Sequence, residues 1–251
     1  MKYEQAKIFA NYKDIKHAFF TKIGGYSTGV YESLNCSLNV GDCEQFVLKN
    51  IDSIKANFEA REIISLKQIH GNNVVVVDEH FDFNLCNQQI EGDAIVTNTK
   101  NVCIAILTAD CAPVLIYDTN NEIIGAIHCG WKSARYGAIE NTIRAISKIA
   151  TKEMQLIAAI GPCIHKESYI VQQDFISNFA DNDLMFFEEN LGEYRFDLPM
   201  YVKHKLTKLG VISVEVLDID THIDPNFFSF RKANMETNGI CGRQFSRIML
   251  K

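Results

Sequence analysis

The chain has 251 residues, a formal charge of −6 and 22% charged residues. That length can bury roughly 70–75% of the unfolded surface in one core. Neither a Lys/Arg run nor a basic amphipathic helix is present, which argues against nucleic acid or an anionic membrane as partner and directs attention to small molecules. Residues 1–12 lack a charged-then-apolar signal pattern, and the longest apolar stretch, 102–117, is broken by Asp110 and Pro113. The expectation is a soluble, cytoplasmic protein that does not enter the membrane.

Helical period is first met at 44–59, where Val47, Ile51, Ile54 and Phe58 share one face. Strand-like apolar runs follow at 74–77, 94–97, 102–107, 113–117 and 123–127. A second helix is expected after Gly137, with Ile139, Ile143, Ile146 and Ala150 on its apolar face, and then a strand at 156–160. A third begins at Asp197, which can cap it. Pro199 sits in its first turn, Val202, Leu206 and Leu209 keep helical spacing, and Gly210 supplies the stop. Strands at 214–217 and 227–230 complete the series. Hairpins mixed with longer helical returns predict an α+β protein with mixed sheets rather than a regular βαβ alternation. With no linker, repeat or low-complexity tract, a single domain over 1–251 is expected.

The eight cysteines stand at 36, 43, 86, 103, 111, 129, 163 and 241, with no CxxC pair. Most are expected to be reduced and buried as small hydrophobes. Cys103, inside an apolar strand, fits that description, whereas Cys111 follows an Asp and shortly precedes a Pro at a strand boundary.

Cys111 belongs to the most informative stretch of the chain. The run 113–117, the turn formers Asp118-Thr119-Asn120-Asn121-Glu122 and the run 123–127 predict an antiparallel hairpin. A turn centred near Thr119-Asn120 pairs residues whose numbers sum to about 239, which sets Cys111 opposite His128 at the open end. A thiol and an imidazole brought together there make either half of a metal site or a Cys/His catalytic pair. His70 stands at another strand end, before the turn Gly71-Asn72-Asn73, and sequence spacing alone does not bring it to that pair.

Taken in order, Gln68-Ile69-His70-Gly71, Gly92-Asp93-Ala94-Ile95-Val96-Thr97, Thr108-Ala109-Asp110-Cys111-Ala112-Pro113-Val114 and Ala126-Ile127-His128-Cys129-Gly130-Trp131 resemble the laccase-domain family. Its members are also called multicopper polyphenol oxidase-like proteins or broad-specificity purine nucleoside phosphorylases. The likeness continues at the amino end, in 17–29 with Leu34-Asn35 and Gly41-Asp42. It includes Gly161-Pro162-Cys163-Ile164 and ends on Phe227-Phe228-Ser229-Phe230-Arg231 and Gly242-Arg243. It covers essentially the whole chain.

The resemblance implies a layered α/β/β/α sandwich and a single metal ion, usually zinc, on His70, Cys111 and His128. Three protein ligands would leave a fourth tetrahedral position open, the pattern of a catalytic zinc. Such an ion would bring the pKa of its water to roughly 7 and would hold Cys111 as a bound thiolate rather than a free nucleophile. The implied activity is phosphorolysis of adenosine, inosine, guanosine and methylthioadenosine, with adenosine deamination beside it. His70 then belongs to the catalytic group as well as to the metal. Deamination needs a carboxylate to move protons, and Asp110 and Asp93 are the candidates. Alternatively, Asp110 orients a ligand histidine. Phosphorolysis needs an anion site, for which Lys22, Gly25, Ser27, Asn35, Arg231 and Arg243 are the candidates. A tight turn and surface salt bridges are the plain alternatives for these glycines and arginines. Trp131, the one tryptophan, either stacks on a base or fills the core.

The chain departs from the family pattern at three points. Lys132-Ser133 follow Gly130-Trp131 where Arg-Gly is common, Lys22 stands where Arg is frequent, and Asp220-Thr221 occupy a Cys-Thr block. Competing readings are a Cys/His hydrolase or amidase, including cell-wall precursor editing, a copper-dependent polyphenol oxidase, and a metal-stabilised binding protein in which Cys129 is a fourth ligand. Alternation along a strand turns Cys129 away from His128 and argues against the last. The oxidase would call for further His-rich clusters.

Overall fold

The computed structural model describes residues 1–83, 88–190 and 192–251; Cys86 lies outside them. The first part of the chain forms β1 (Tyr3–Glu4), β2 (Ile15–Phe20), α1 (Glu44–Phe58), β3 (Glu62–Ile64), β4 (Val74–Val77) and β5 (Ala94–Thr97). The middle forms β6 (Val102–Thr108), β7 (Ala112–Asp118), β8 (Ile123–Cys129), α2 (Trp131–Arg135), α3 (Ala138–Ile149) and β9 (Leu156–Ile160). Then come β10 (Ile170–Val171), α4 (Gln173–Ile176), β11 (Phe187–Asn190), β12 (Glu193–Phe196), α5 (Leu198–Lys208), β13 (Ser213–Val216), α6 (Phe230–Glu236) and β14 (Gln244–Leu250).

A five-stranded sheet in the order β1-β2-β14-β6-β3 packs on a six-stranded sheet in the order β13-β9-β7-β8-β5-β4, and β10-β12-β11 form a small third sheet. Both large sheets are mixed, with β3–β6, β4–β5 and β9–β13 parallel and their other pairs antiparallel. Strand alternation assigns each side chain to a layer. From β6, Val102, Ile104 and Ile106 join Leu115, Ile124, Ala126 and Ile248 between the sheets. Cys103, Ala105 and Leu107 turn the other way, against Ile54 and Phe58 of α1. Val114, Ile116, Ile123 and Ile127 face the helical side, packing with Ile139, Ile143 and Ile146 of α3 and Val202 and Leu206 of α5. The result is the expected α/β/β/α sandwich, in which each fully buried aliphatic side chain is worth about 1.5–3 kcal/mol.

The three expected helices form. α1 ends on a left-handed Glu59 with φ 57°, and the Asp197 carboxylate accepts the Met200 amide at the start of α5. Three strand expectations need correction. Residues 227–229 are not a strand: the Phe228 amide donates to the Gln244 side chain, and Ser229 caps α6. β2 and β14 were not anticipated, yet they are the middle of the five-stranded sheet. Every residue of β14 is buried, including Gln244, Ser246 and Arg247, so its polar letters hide a core strand. The hairpin register is shifted as well. Ala112 pairs with Cys129 and Pro113 with His128, giving a sum of 241, because the loop 119–122 is centred one residue later. Among the described residues, no helix is long and apolar enough to cross a membrane.

Candidate metal centre and its flanking hollows

At the end of β8, His128 points to the inter-sheet side and Cys129 to the helical side. Cys129 is buried in the apolar core there, which takes it away from any ligand set. In the observed register Cys111 does not sit opposite His128; the ladder ends with Ala112. What brings the thiol over is Asp110, whose φ of 87° turns the chain sharply between β6 and β7. His70 also has a left-handed backbone, with φ 57°. Strained conformations of this kind persist only where surrounding bonds hold them.

Asp93 provides those bonds for His70. Its Oδ2 accepts the amides of Ile69 at 3.2 Å and Gly71 at 2.7 Å, and its Oδ1 accepts the His70 amide at 3.0 Å. The same Oδ1 lies 2.8 Å from His128 Nδ1, and the His128 amide donates to the Asp93 carbonyl at 2.8 Å. One buried carboxylate thus ties the His70 turn to the His128 ring. It also engages Nδ1 of that ring and leaves Nε2 available. The donor atoms of His70, Cys111 and His128 all lie within 4.8 Å of one another, and the two imidazole rings are 4.7 Å apart at 73°.

The electrostatics follow from this packing. Burial pushes the His128 imidazolium down, but Cys111 and Asp93 outweigh it and raise its pKa to about 9. His70 keeps an edge in solvent; burial of the rest of its ring and the charge on His128 lower it to about 4. Burial pulls the Asp93 carboxyl up, while His128 and the Gly71 and Ile69 amides more than compensate and hold it below the ordinary range. Two imidazole nitrogens and one sulfur suit zinc or copper.

Gly130 leaves room for the cluster. A Cβ placed there would lie 2.7 Å from His70 Nδ1 and 3.1 Å from Cys111 Sγ. Its backbone, at φ −68° and ψ 163°, is one that alanine adopts freely. The penalty is steric rather than conformational: at this buried position Gly130→Ala is expected to cost about 1–3 kcal/mol of stability and to weaken metal binding about tenfold or more by displacing His70. Zinc titration beside urea denaturation checks both.

The cluster separates two hollows. One, of about 410 Å³, is lined by Ser37, Asn39, Lys67, Gln68 and Arg243 together with His70, Cys111 and His128. The other, of about 420 Å³, is more aromatic, with Trp131, Tyr169, Leu198 and Phe230 beside Lys132, Arg231, His70 and Cys111. Phe230 lines both, and the Arg243 guanidinium lies over its ring at 5.5 Å.

The remaining expected site residues fall into three groups. Arg231 and Arg243 reach the hollows. Lys22 instead lines a separate hollow of about 530 Å³ with Glu32, Lys232 and Glu236. Gly25 is a close-packing residue, since a Cβ there would meet the Ser33 carbonyl at 2.2 Å. The Ser27 hydroxyl accepts from Asn50, whose amide also donates to the carbonyls of Ser33 and Asn35. Asn35 is buried and takes the amides of Ser37 and Arg243 on its Oδ1, so it supports the first hollow from behind. The expected anion loop is a tight turn. Asp110 lines the second hollow, but its carboxylate accepts from Thr221 Oγ1, Ser229 Oγ and the Arg231 amide and orients no ligand histidine. Trp131 packs edge-on to Phe175 at 4.8 Å, as a core side chain would, and also lines the second hollow.

The profile of the multi-copper polyphenol oxidoreductase laccases matches residues 16–251. The chain belongs to that family. A purine nucleoside phosphorylase of Rickettsia conorii is 34% identical over 216 residues, spanning 84% of this chain and 85% of its own length. One from Bacteroides thetaiotaomicron is 30% identical, spanning 96% and 93%. A Neisseria meningitidis protein of solved structure superposes with a TM-score of 0.84 at 30% identity over 95% of both chains. The Bacillus licheniformis hypothetical protein YfiH gives 0.88 at 26% identity, over 96% of this chain and 94% of its own.

Of this chain's departures from the family pattern, Lys132 lies on the second hollow, whereas Asp220 is engaged by the Ser168 hydroxyl and the His222 amide. Sequence reasoning passed over Asn50 and Tyr169. Asn50 carried a signal, a polar residue on the apolar stripe of α1; Tyr169 carried none.

Proposed function

We propose that this protein is a zinc-dependent purine nucleoside phosphorylase, with the metal held by His70, Cys111 and His128. The observation that carries the reading is the convergence of those three donors between a polar and an aromatic hollow, in a chain whose relatives include proteins named purine nucleoside phosphorylase. When bound, such an ion supplies a Lewis acid beside the reacting centre.

The chain's own residues supply the rest. Phe230, Tyr169 and Trp131 offer ring faces and edges to a purine, and the polar hollow offers the Arg243 guanidinium and the hydroxyl and amide groups of Ser37 and Asn39 to phosphate and ribose. In the reaction the bond from the base nitrogen to the ribose anomeric carbon breaks, a phosphate oxygen bonds to that carbon, and the departing base takes a proton. Asp93 fixes the orientation of His128 and the turn of His70, so the donors need not reorganise on binding. Adenosine deamination is the weaker activity on this reading, because both nearby carboxylates, Asp93 and Asp110, are engaged by donors and neither is free to carry a proton to substrate. A multicopper oxidase relay would call for further His-rich clusters, and among the described residues this is the one three-donor group.

A second reading rests on one observation. Asp93, His128 and Cys111 in sequence form an orienting acid, a base and a thiol, the arrangement of a cysteine hydrolase. Metal analysis with phosphate-dependent release of free base from adenosine and inosine separates the readings. One zinc per chain and base release that needs phosphate are expected. Metal-free protein whose Cys111 alkylates rapidly would favour the hydrolase, and ammonia without free base would favour deamination.

A further inference from the structure

Asp110 is the residue whose surroundings exceed what the reading above uses. It is a buried carboxylate at φ 87°, immediately before Cys111, and three segments distant in sequence converge on it. Oδ1 accepts from Thr221 Oγ1 at 2.8 Å. Oδ2 accepts from Ser229 Oγ at 3.0 Å and from the Arg231 amide at 2.6 Å. Its carbonyl accepts the Ile164 amide at 2.9 Å. Ile164, Phe230 and Arg231 all line the aromatic hollow, and none of them is near Cys111 in sequence.

Arg231 is held at both ends. Asp110 fixes its backbone. Its Nη1 donates to the Ile170 carbonyl at 2.8 Å, and its guanidinium lies over the Tyr169 ring at 5.3 Å. Phe230, between the two residues bonded to Asp110, opens α6 and is one of the larger exposed apolar side chains. Loss of the carboxylate would free this wall of the hollow while leaving His70, His128 and Asp93 bonded as they are.

We propose that Asp110, which also lines the aromatic hollow, is a positioning residue that sets the Phe230–Arg231 wall at a fixed distance from Cys111, and so controls substrate affinity there through that wall. This rests on the phosphorylase reading for its kinetic test. Asp110→Ala removes both acceptor oxygens and leaves the Arg231 amide without its partner, whereas Asp110→Asn could keep that bond and turn its amide to the Thr221 hydroxyl, which accepts as well as donates.

The test is steady-state phosphorolysis by zinc-loaded protein, with Arg231→Gln and the double variant completing a cycle. The Asp110→Ala change is expected to raise KM for the nucleoside about tenfold, with kcat within about threefold and zinc content unchanged. In the Arg231→Gln background, which keeps the amide bonded to Asp110 but lacks the guanidinium that amide positions, it is expected to add less than it does alone. A fall in kcat at unchanged KM would make Asp110 a proton carrier and overturn the proposal, as would additive effects in the cycle. Thr221→Val, which removes one donor outside the hollow, should move KM the same way by a smaller factor, and it carries the comparison if Asp110→Ala does not fold. Hydrogen exchange is read in the same samples because it needs no substrate. Faster exchange confined to 229–236 and 164–171 is expected in the variant, and unchanged exchange there would overturn the proposal. If the wild type releases no base while that exchange difference is present, the phosphorylase reading fails and the positioning role stands.

Discussion

Cys111→Ala is expected to abolish zinc binding at micromolar metal and to reduce phosphate-dependent base release by about 10³-fold or more, as loss of a Lewis acid worth several kcal/mol requires. The thiol is one of three donors within 4.8 Å, and its neighbour Cys129 is buried on the opposite face of the sheet and cannot replace it. Two imidazoles alone hold zinc poorly, since the ion then lacks its anionic ligand. The metal-free variant should fold as the metal-free wild type does, because Cys111 is only half-buried and stands at a hollow's edge. Metal analysis, chromatographic detection of free purine and a thermal melt check the three statements. A variant that keeps its zinc and its rate would move the metal elsewhere in the chain.

The second large effect is at Asp93. Asp93→Asn leaves one acceptor oxygen where two oxygens served three backbone amides and an imidazole, so at least one buried donor goes unmet. Zinc affinity is expected to fall about 10- to 100-fold, and the metal-free fold to lose on the order of 3 kcal/mol, as when one partner of a buried ion pair is removed. The pH dependence carries a sign. His128 is raised above its unfolded value to about 9, so the stabilisation from its pairing is fully present below the unfolded pKa of about 6.5 and is lost as pH rises through 9. Asp93 is held below the ordinary carboxylate range, so its share is present above that range and is lost on acidification. Urea denaturation of metal-free wild type from pH 6 to 9.5 should show stability falling across that interval, and the variant should show a flatter profile. Zinc must displace the His128 proton, so wild-type affinity should climb over the same interval.

Much of this protein is legible in its letters. The apolar stripe Val47, Ile54, Phe58 of α1 and the Asp197 cap of α5 are local chemistry, and local chemistry is what a sequence states directly. The hairpin β7–β8 is local too, and its only error was a turn centred one residue early. β14 was hidden because a strand at the centre of a sheet can carry Gln244, Ser246 and Arg247 once partners on both sides and faces accommodate them. The loop 22–35 read as an anion site because Gly-Gly and Ser are also what a close-packed turn uses. Only the approach of Asn50 and the Ser33 carbonyl showed that those groups already have partners.

The sequence by itself determined the three longer helices, the β7–β8 hairpin and the mixed α+β class and, through family resemblance, the layered fold and the three residues that meet at the end of β8. The tertiary structure decided what each carboxylate does. Asp93 and Asp110 look alike in sequence, each lying close to a candidate ligand or its strand. Asp93 binds His128 and the His70 turn; Asp110 binds Thr221, Ser229 and Arg231, more than a hundred residues away. A carboxylate's role is set by which donors reach its oxygens, and long-range contacts are settled only when the whole chain has closed on itself.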